Sequence, residues 1–225
     1  MNAVSEAGQR LTLDQGLHGL NLSLNESQKA QLIAYLALIQ KWTQVYNLTS
    51  VRDPAEMLTH HLLDSLAVIN PLLRQLETLQ IQRTGLRLLD VGSGAGLPGI
   101  VIAICCPDFT VHCVDTVAKK AAFIQQVAVS LKLTNLRGIH NRVEKLTDTY
   151  ELVSSRAFAS LENFTQWSQQ VLADQGVWMA MKGKHPADEV AVLPPTVQVF
   201  HVEQLEVPGL GAERCIVWMR PVSAF

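Results

Sequence analysis

Residues 88–104 read L-L-D-V-G-S-G-A-G-L-P-G-I-V-I-A-I, an apolar run that turns on glycines into a second apolar run. Counted from Gly92 the glycines fall as G-x-G-x-G. Counted from Gly94 they fall as G-x-G-x-x-G, ending at Gly99, which is the dinucleotide fingerprint. Both registers describe one local object: a buried strand, a turn whose bare backbone can approach a ligand, and a helix whose N-terminus follows. Leu97-Pro98 marks the helix start, because proline loses nothing in a first turn whose N–H groups have no intrahelical partner. The stretch predicts a nucleotide loop and leaves open which nucleotide.

On its C-terminal side the same rhythm repeats. Strand-like runs at 86–91, 110–115, 135–140, 151–155 and 176–182 alternate with helical patterns from about Pro98, at 118–132, around 143–147 and at 160–172. That alternation predicts an α/β fold with a doubly wound parallel sheet of the Rossmann-like kind. The alternation then stops. T-V-Q-V-F-H-V-E-Q-L-E-V and E-R-C-I-V-W-M-R are consecutive strands joined by P-G-L-G-A, a terminal hairpin that makes the last strand antiparallel to its neighbour.

Upstream of the loop the pattern is helical. Leu32, Ile33, Leu36, Ile39 and Trp42 recur at helical steps, with Asn25 and Gln28 as a capping box. A second helix starts at D-P-A-E (53–56) and is expected to stop before Pro71. The expected organisation is a flexible N-terminal tail over 1–23, a helical N-terminal extension over 24–80 and the sheet-containing core over 86–225.

The 225 residues are 48% hydrophobic and 17% charged with a formal net charge of −2, so no global positive field gathers nucleic acid. An RNA partner would need a local basic patch. Cys105, Cys106, Cys113 and Cys215 contain no C-x-x-C pair and read as reduced, buried thiols, so no metal site is expected. No basic region followed by an apolar stretch opens the chain, and no apolar run is long enough for a membrane span. A cytoplasmic protein without membrane contact is expected.

Three features bear on the nucleotide. Asp90 puts a carboxylate at the loop, which would repel a pyrophosphate and suits the cationic sulfonium or ammonium of S-adenosylmethionine. Asp115 ends the next strand, 23 residues after Gly92, where it can accept from ribose hydroxyls. The terminal hairpin replaces the parallel strands with which a dinucleotide fold usually continues. Together they favour S-adenosylmethionine and a class I methyltransferase core. After the fourth strand the chain reads S-S-R-A-F, with Arg156 where base-amine methyltransferases carry N-P-P-Y. No cysteine follows for covalent attack on a pyrimidine. Transfer to an available lone pair, such as a ring nitrogen, is the chemistry left, and it needs alignment more than a base. Two other readings stay open: a methyltransferase acting on a small molecule or protein, and a non-catalytic nucleotide- or RNA-binding module.

The blocks N-L-T-S-V-R-D (47–53), H-x-x-D-S (61–65), L-D-V-G-S-G-A-G-L-P-G (89–99), R-V-E (142–144), S-R-A-F-A-S-L (155–161) and M-K-G (181–183) resemble the RsmG family over about residues 24–220. This family is also called glucose-inhibited division protein B. The resemblance implies methylation of guanine N7 in a loop of 16S ribosomal RNA, with S-adenosylmethionine as donor. The implied partner is that RNA, the 30S subunit or an assembly intermediate, met by a monomeric enzyme. Carried over by position, Gly92 and Leu97 line the methionine end of the donor pocket, with Gly94 and Gly96 in the same loop. Asp115 holds the ribose, Val143 and Glu144 meet the adenine, and Arg156 stands between cofactor and base. The family often has arginine before the H-x-x-D-S histidine; here His60 stands there, so a phosphate contact made by that arginine is not expected.

Other residues carry an RNA expectation beside a plainer one. His61, Asp64 and Ser65 share a helix face, either as a polar patch towards RNA or as a tie between the helical extension and the core. Asn47 and Arg52 stand in the turn between the first two helices. Lys182 and Lys184 flank Gly183 just past a strand end, on the face where such sheets bind ligands, and are expected at phosphates. Lys119, Lys120, Arg137, Arg142 and Lys145 can extend a basic rim or stand as solvated charges. Trp42, Trp167, Trp178 and Trp218 read as core.

Overall fold

A computed structural model describes residues 6–222. The N-terminal part comprises α1 (Glu6–Gly19), α2 (Glu26–Tyr46), α3 (Pro54–Met57), a π-helical turn at Leu58–Leu63, α4 (Asp64–Leu66) and α5 (Ile69–Thr78). The remainder runs β1 (Arg87–Val91), α6 (Gly99–Cys105), β2 (Thr110–Asp115), α7 (Ala118–Ser130), β3 (Leu136–His140) and a 3-10 turn at Val143–Lys145. It continues with β4 (Tyr150–Arg156), α8 (Leu161–Ser168), β5 (Leu172–Lys182), α9 (Ala187–Ala191), β6 (Val197–Leu205) and β7 (Arg214–Pro221).

Seven strands form one sheet in the order β3-β2-β1-β4-β5-β7-β6. The first five are parallel, and β7 inserts between β5 and β6, antiparallel to both. The strand order reverses between β1 and β4, and a crevice opens at their carboxyl ends, the usual ligand position in such sheets. Period-two alternation splits the core by face. Leu88 packs with α6, α7 and the N-terminal helices, whereas Leu89 and Val91 pack with α8.

The polar composition of residues 1–23 predicts a flexible tail. Residues 6–19 instead form α1, which buries Leu13, Gly16 and Leu17; residues 1–5 lie outside the described set, as do 223–225. A Cβ on Gly16 would come within 2.4 Å of Leu63, so α1 lies close against the helix beneath it. The expected stop before Pro71 is also corrected. Pro71 sits in the first turn of α5, where its missing N–H breaks no helical bond. β5 begins at Leu172 rather than 176, and α9 carries too short a pattern to be read.

α2 seals one face of the core. Asn25 and Gln28 form the expected capping box, and Gln28 Nε2 also donates to the carbonyls of Ile104 and Cys105 at the end of α6. Gln31 Nε2 donates to the carbonyl of Leu131 after α7. Tyr35, fully buried, donates its hydroxyl to the Ala95 carbonyl inside the glycine loop at 2.6 Å. The helical extension thereby holds the loop that the sequence marks as the nucleotide site.

Candidate functional site

The glycine loop bends back on itself through left-handed backbone at Gly92 (φ +64°), Gly94 (φ +59°) and Gly96 (φ +85°). At Gly92 the requirement is doubled, because a Cβ there would stand 2.0 Å from the Phe158 ring. Gly94 N–H donates to Asp115 Oδ2 at 3.0 Å, and Val117 N–H donates to Oδ1 at 2.8 Å. Each carboxylate oxygen keeps a lone pair for a ligand hydroxyl. Asp115, Val117, Asn141, Val143, Glu144, Gly92, Phe158 and Trp167 line a cavity of about 470 Å³, a usual size for a small-molecule site.

A second cavity, of about 630 Å³, adjoins it. Its wall takes residues 48–51 from the loop after α2, His60, His61 and Asp64 from the broken helix, Gly94 and Leu97 from the glycine loop, Arg156, Lys182, Gly183 and Arg214. The two cavities share Gly92, Lys120 and Ala157, so they meet at the carboxyl ends of β1 and β4. Four cations line the second cavity against the single carboxylate of Asp64. The second cavity is thus locally basic in a chain whose formal net charge is −2.

Asp64 organises that wall. Arg156 Nη1 donates to its Oδ2 at 2.7 Å, and Arg214 Nε donates to its Oδ1 at 2.8 Å. Arg156 also donates to the His60 carbonyl at 3.1 Å. A nearly buried carboxylate shared by two guanidinium groups fixes both of them through short, charge-assisted bonds. His61 faces Thr49, with Nε2 and Oγ1 2.9 Å apart, while Val51 N–H donates to the same hydroxyl. Burial first, and the neighbouring Arg156 charge second, lower the His61 pKa to about 4. His61 is therefore neutral at pH 7 and a poor proton acceptor.

Several expected residues do other work. Asp90 reaches neither cavity. Its register partner Ser154 donates to Oδ1 at 3.0 Å, and Gly99 N–H donates to Oδ2 at 3.1 Å. A Cβ at Gly99 would meet Cys113 Sγ at 2.4 Å, so this glycine is needed for α6 to lie against β1 and β2. Burial raises the Asp90 pKa to about 7, with the Gly99 and Ser154 bonds opposing. Asp90 is thus an internal anchor for α6, and its charge does not select the nucleotide. Gly96 lines neither cavity and is required where a Cβ would strike Ile100 at 2.3 Å.

Lys182 lines the second cavity, but its ammonium is held by both oxygens of Glu189 and by the Ala159 carbonyl, at 2.7 to 3.0 Å. It stitches β5 to α8 and α9, because Glu189 also accepts from Leu161 N–H. Lys184 is exposed beyond Gly183. Asn47 caps α2 in left-handed backbone and accepts from Arg52 at 2.8 Å, so this pair flanks the second cavity at its lip. Trp178 and Trp218 are core as expected, whereas Trp167 is 37% exposed and stands edge-on to Phe158 in the first cavity.

The sequence reading missed Arg214, Phe158, Trp167 and Tyr35 as parts of the site. Phe158 was the most accessible of these, lying inside the S-R-A-F block two residues after Arg156. Arg214 gave no signal, since its partner lies 150 residues away.

Comparison with known proteins agrees with this geometry. The family described as rRNA small subunit methyltransferase G matches residues 28–217. A relative from Polaromonas naphthalenivorans (strain CJ2), named ribosomal RNA small subunit methyltransferase G, is 65% identical over 98% of this chain and 100% of its own length. A relative of the same name from Albidiferax ferrireducens is 69% identical over 91% and 94%. Among solved structures, TrmN from Thermus thermophilus matches 73% of this chain and 53% of its own, at 16% identity and a TM-score of 0.54. A SAM-dependent methyltransferase from Aquifex aeolicus matches 71% and 93%, at 16% identity and 0.51. These neighbours share the α/β methyltransferase fold of this chain.

Proposed function

The chain belongs to the rRNA small subunit methyltransferase G family, and on that premise we propose that it methylates N7 of a guanine in a loop of 16S ribosomal RNA. The observation that carries this reading is the meeting of the two cavities at Gly92 and Ala157, one shaped for a nucleoside and the other basic. The residues present fit S-adenosylmethionine. Gly92 puts backbone alone at the cavity wall with the Phe158 ring packed on it, Asp115 keeps lone pairs for ribose hydroxyls, and Val143, Glu144 and Trp167 surround the space for a base. When bound, that cofactor supplies an electrophilic methyl group on a sulfonium sulfur.

The chain's own task is then to bind and orient. Gly92 and Ala157 bound the joint between the cavities, and Gly94, Leu97, Arg156 and Arg214 line the acceptor side. Guanine O6 is an acceptor that a guanidinium donor can hold, which leaves the N7 lone pair free to take the methyl group. Guanine N7 carries its lone pair without losing a proton, so the reaction asks for no general base. The wall is built accordingly: Asp64 is engaged by two arginines, and His61 is lowered to about 4. Rate comes from alignment of donor and acceptor. A loop nucleotide suits this arrangement, because an unstacked base can enter the cavity.

The substrate is taken as the 30S particle or an assembly intermediate, met in the cytoplasm by a single copy of the chain. Among the described residues no helix is long and apolar enough to cross a membrane. Primer-extension mapping of 16S ribosomal RNA from cells lacking the protein tests the reading. One N7 methyl should disappear and return on complementation, and an unchanged modification pattern overturns it.

A further inference from the structure

We propose that the shoulder formed by Tyr46 at the end of α2 and Lys119 at the start of α7 docks the single-stranded RNA next to the target base. Tyr46 takes a neighbouring base and Lys119 a phosphate; the inference rests on the ribosomal RNA reading above. Eight large apolar side chains stand exposed among the described residues, and Val45, Tyr46 and Val117 belong to this junction. The Lys119 ammonium lies 5.1 Å from the centre of the Tyr46 ring. Trp42, 5.1 Å from the same ring, braces it and is itself edge-on to the buried Phe123 of α7. The tyrosine is therefore exposed yet fixed to the core.

The shoulder is continuous with the site. Lys120, next to Lys119, lines both cavities. On the other side Asn47 follows Tyr46 directly and holds the exposed Arg52, while residues 48–51 between them line the acceptor cavity. Arg52, Lys119 and Lys120 thus concentrate positive charge beside an exposed ring. The nearby carboxylates are Asp53, which accepts from Glu56 N–H, Glu56 itself, and Asp115, which accepts from Gly94 and Val117.

This chemistry fits a nucleic-acid single strand. An aromatic face that attracts an ammonium also stacks a base of any identity, and the displaced ammonium is then free for the adjacent phosphate. A folded protein partner can offer a ring or a carboxylate, but not a ring and an anion repeated at the fixed spacing of a nucleic-acid strand.

Full-length protein, small-subunit particles and S-adenosylhomocysteine test it. Tyr46→Ala should raise KM for the particle about tenfold, leaving kcat and S-adenosylhomocysteine affinity unchanged, and Tyr46→Phe should restore it. Lys119→Gln should reduce the slope of log affinity against log salt by about one. Melting temperatures verify that the variants fold. An unchanged KM in Tyr46→Ala with an unchanged salt slope in Lys119→Gln overturns the docking surface and leaves the ribosomal reading standing. Wild-type protein that methylates no small-subunit RNA overturns that reading and the docking surface together.

Discussion

The two cavities are built by opposite means. The nucleoside cavity is made of strand ends and the turns that succeed them, shaped by backbone: Gly92 in a left-handed turn and a carboxylate that two main-chain N–H groups orient. The acceptor cavity is made of side chains from distant parts of the chain, joined by one carboxylate that reaches Arg156 across 92 residues and Arg214 across 150. The first is a property of a local motif and the second of the complete tertiary structure. The two should therefore fail separately when disturbed.

The largest separation comes from Asp64→Ala. It leaves two guanidinium groups facing each other in the wall. It should lower stability by about 3 kcal/mol in chemical denaturation, the low end for a broken buried pair, because Arg156 and Arg214 remain 19% and 23% exposed. Affinity of the folded protein for S-adenosylhomocysteine should stay within about twofold; a larger loss would mean the cavities are not independent. Gly92→Ala does the reverse. Left-handed strain and the displaced Phe158 should weaken S-adenosylhomocysteine binding by about 2 kcal/mol, roughly 30-fold, by calorimetry.

Acid adds a second contrast, because His61 in the acceptor wall and Asp90 beneath α6 are both buried titrating groups and act with opposite sign. The folded pKa of His61 is lowered from 6.5 to about 4, so its contribution is present above pH 6.5 and lost as pH falls towards 4. The folded pKa of Asp90 is raised from 3.8 to about 7, so its contribution is present below pH 3.8 and lost as pH rises towards 7. Over pH 4–6.5 they oppose each other in the wild type. Asp90→Asn should expose a stability that climbs with pH, and His61→Asn one that declines, each by at most about 1.4 kcal/mol per pH unit. Equal pH profiles in the two variants would contradict the assignment.

The smallest effect expected is that of Tyr35→Phe, which removes one buried bond between α2 and the glycine loop. It should cost about 1 kcal/mol of stability with a few-fold loss of S-adenosylhomocysteine affinity. A loss of stability alone would reduce α2 to passive support of the loop.

Legibility divides along the same line. β2 could be read to the residue, at Thr110–Asp115, because its β-branched and apolar residues Val111, Cys113 and Val114 stand between the P-D turn before it and Asp115. Asp115 could be read as the end of β2, where it serves the loop. Asp90 could not be placed, since a carboxylate at a strand end reads the same whether it faces a ligand or a helix N-terminus. The register with Ser154 decides that, and register is tertiary. Lys182 likewise lay at the expected strand end, but Glu189 occupies its ammonium from a helix too short to predict. α1 escaped because three buried positions in fourteen residues are too sparse to give a period. The start of β5 was hidden by A-D-Q-G, where Gln175 takes positive φ and the pairing with β4 slips.

The π-helical turn at Leu58–Leu63 carries a consequence for how the chain tolerates length changes. Such a turn is wider than an α-helical one by about one residue, so this helix behaves as though it held a one-residue insertion. Removing a single residue within 58–63 would let it wind regularly while the downstream helix kept its face, because the wide turn already absorbs the extra residue. Asp64, just beyond the turn, should then keep both of its arginines, whereas His61, inside it, should lose its placement against Thr49. A deletion here should therefore cost the fold little and change the wall of the acceptor cavity.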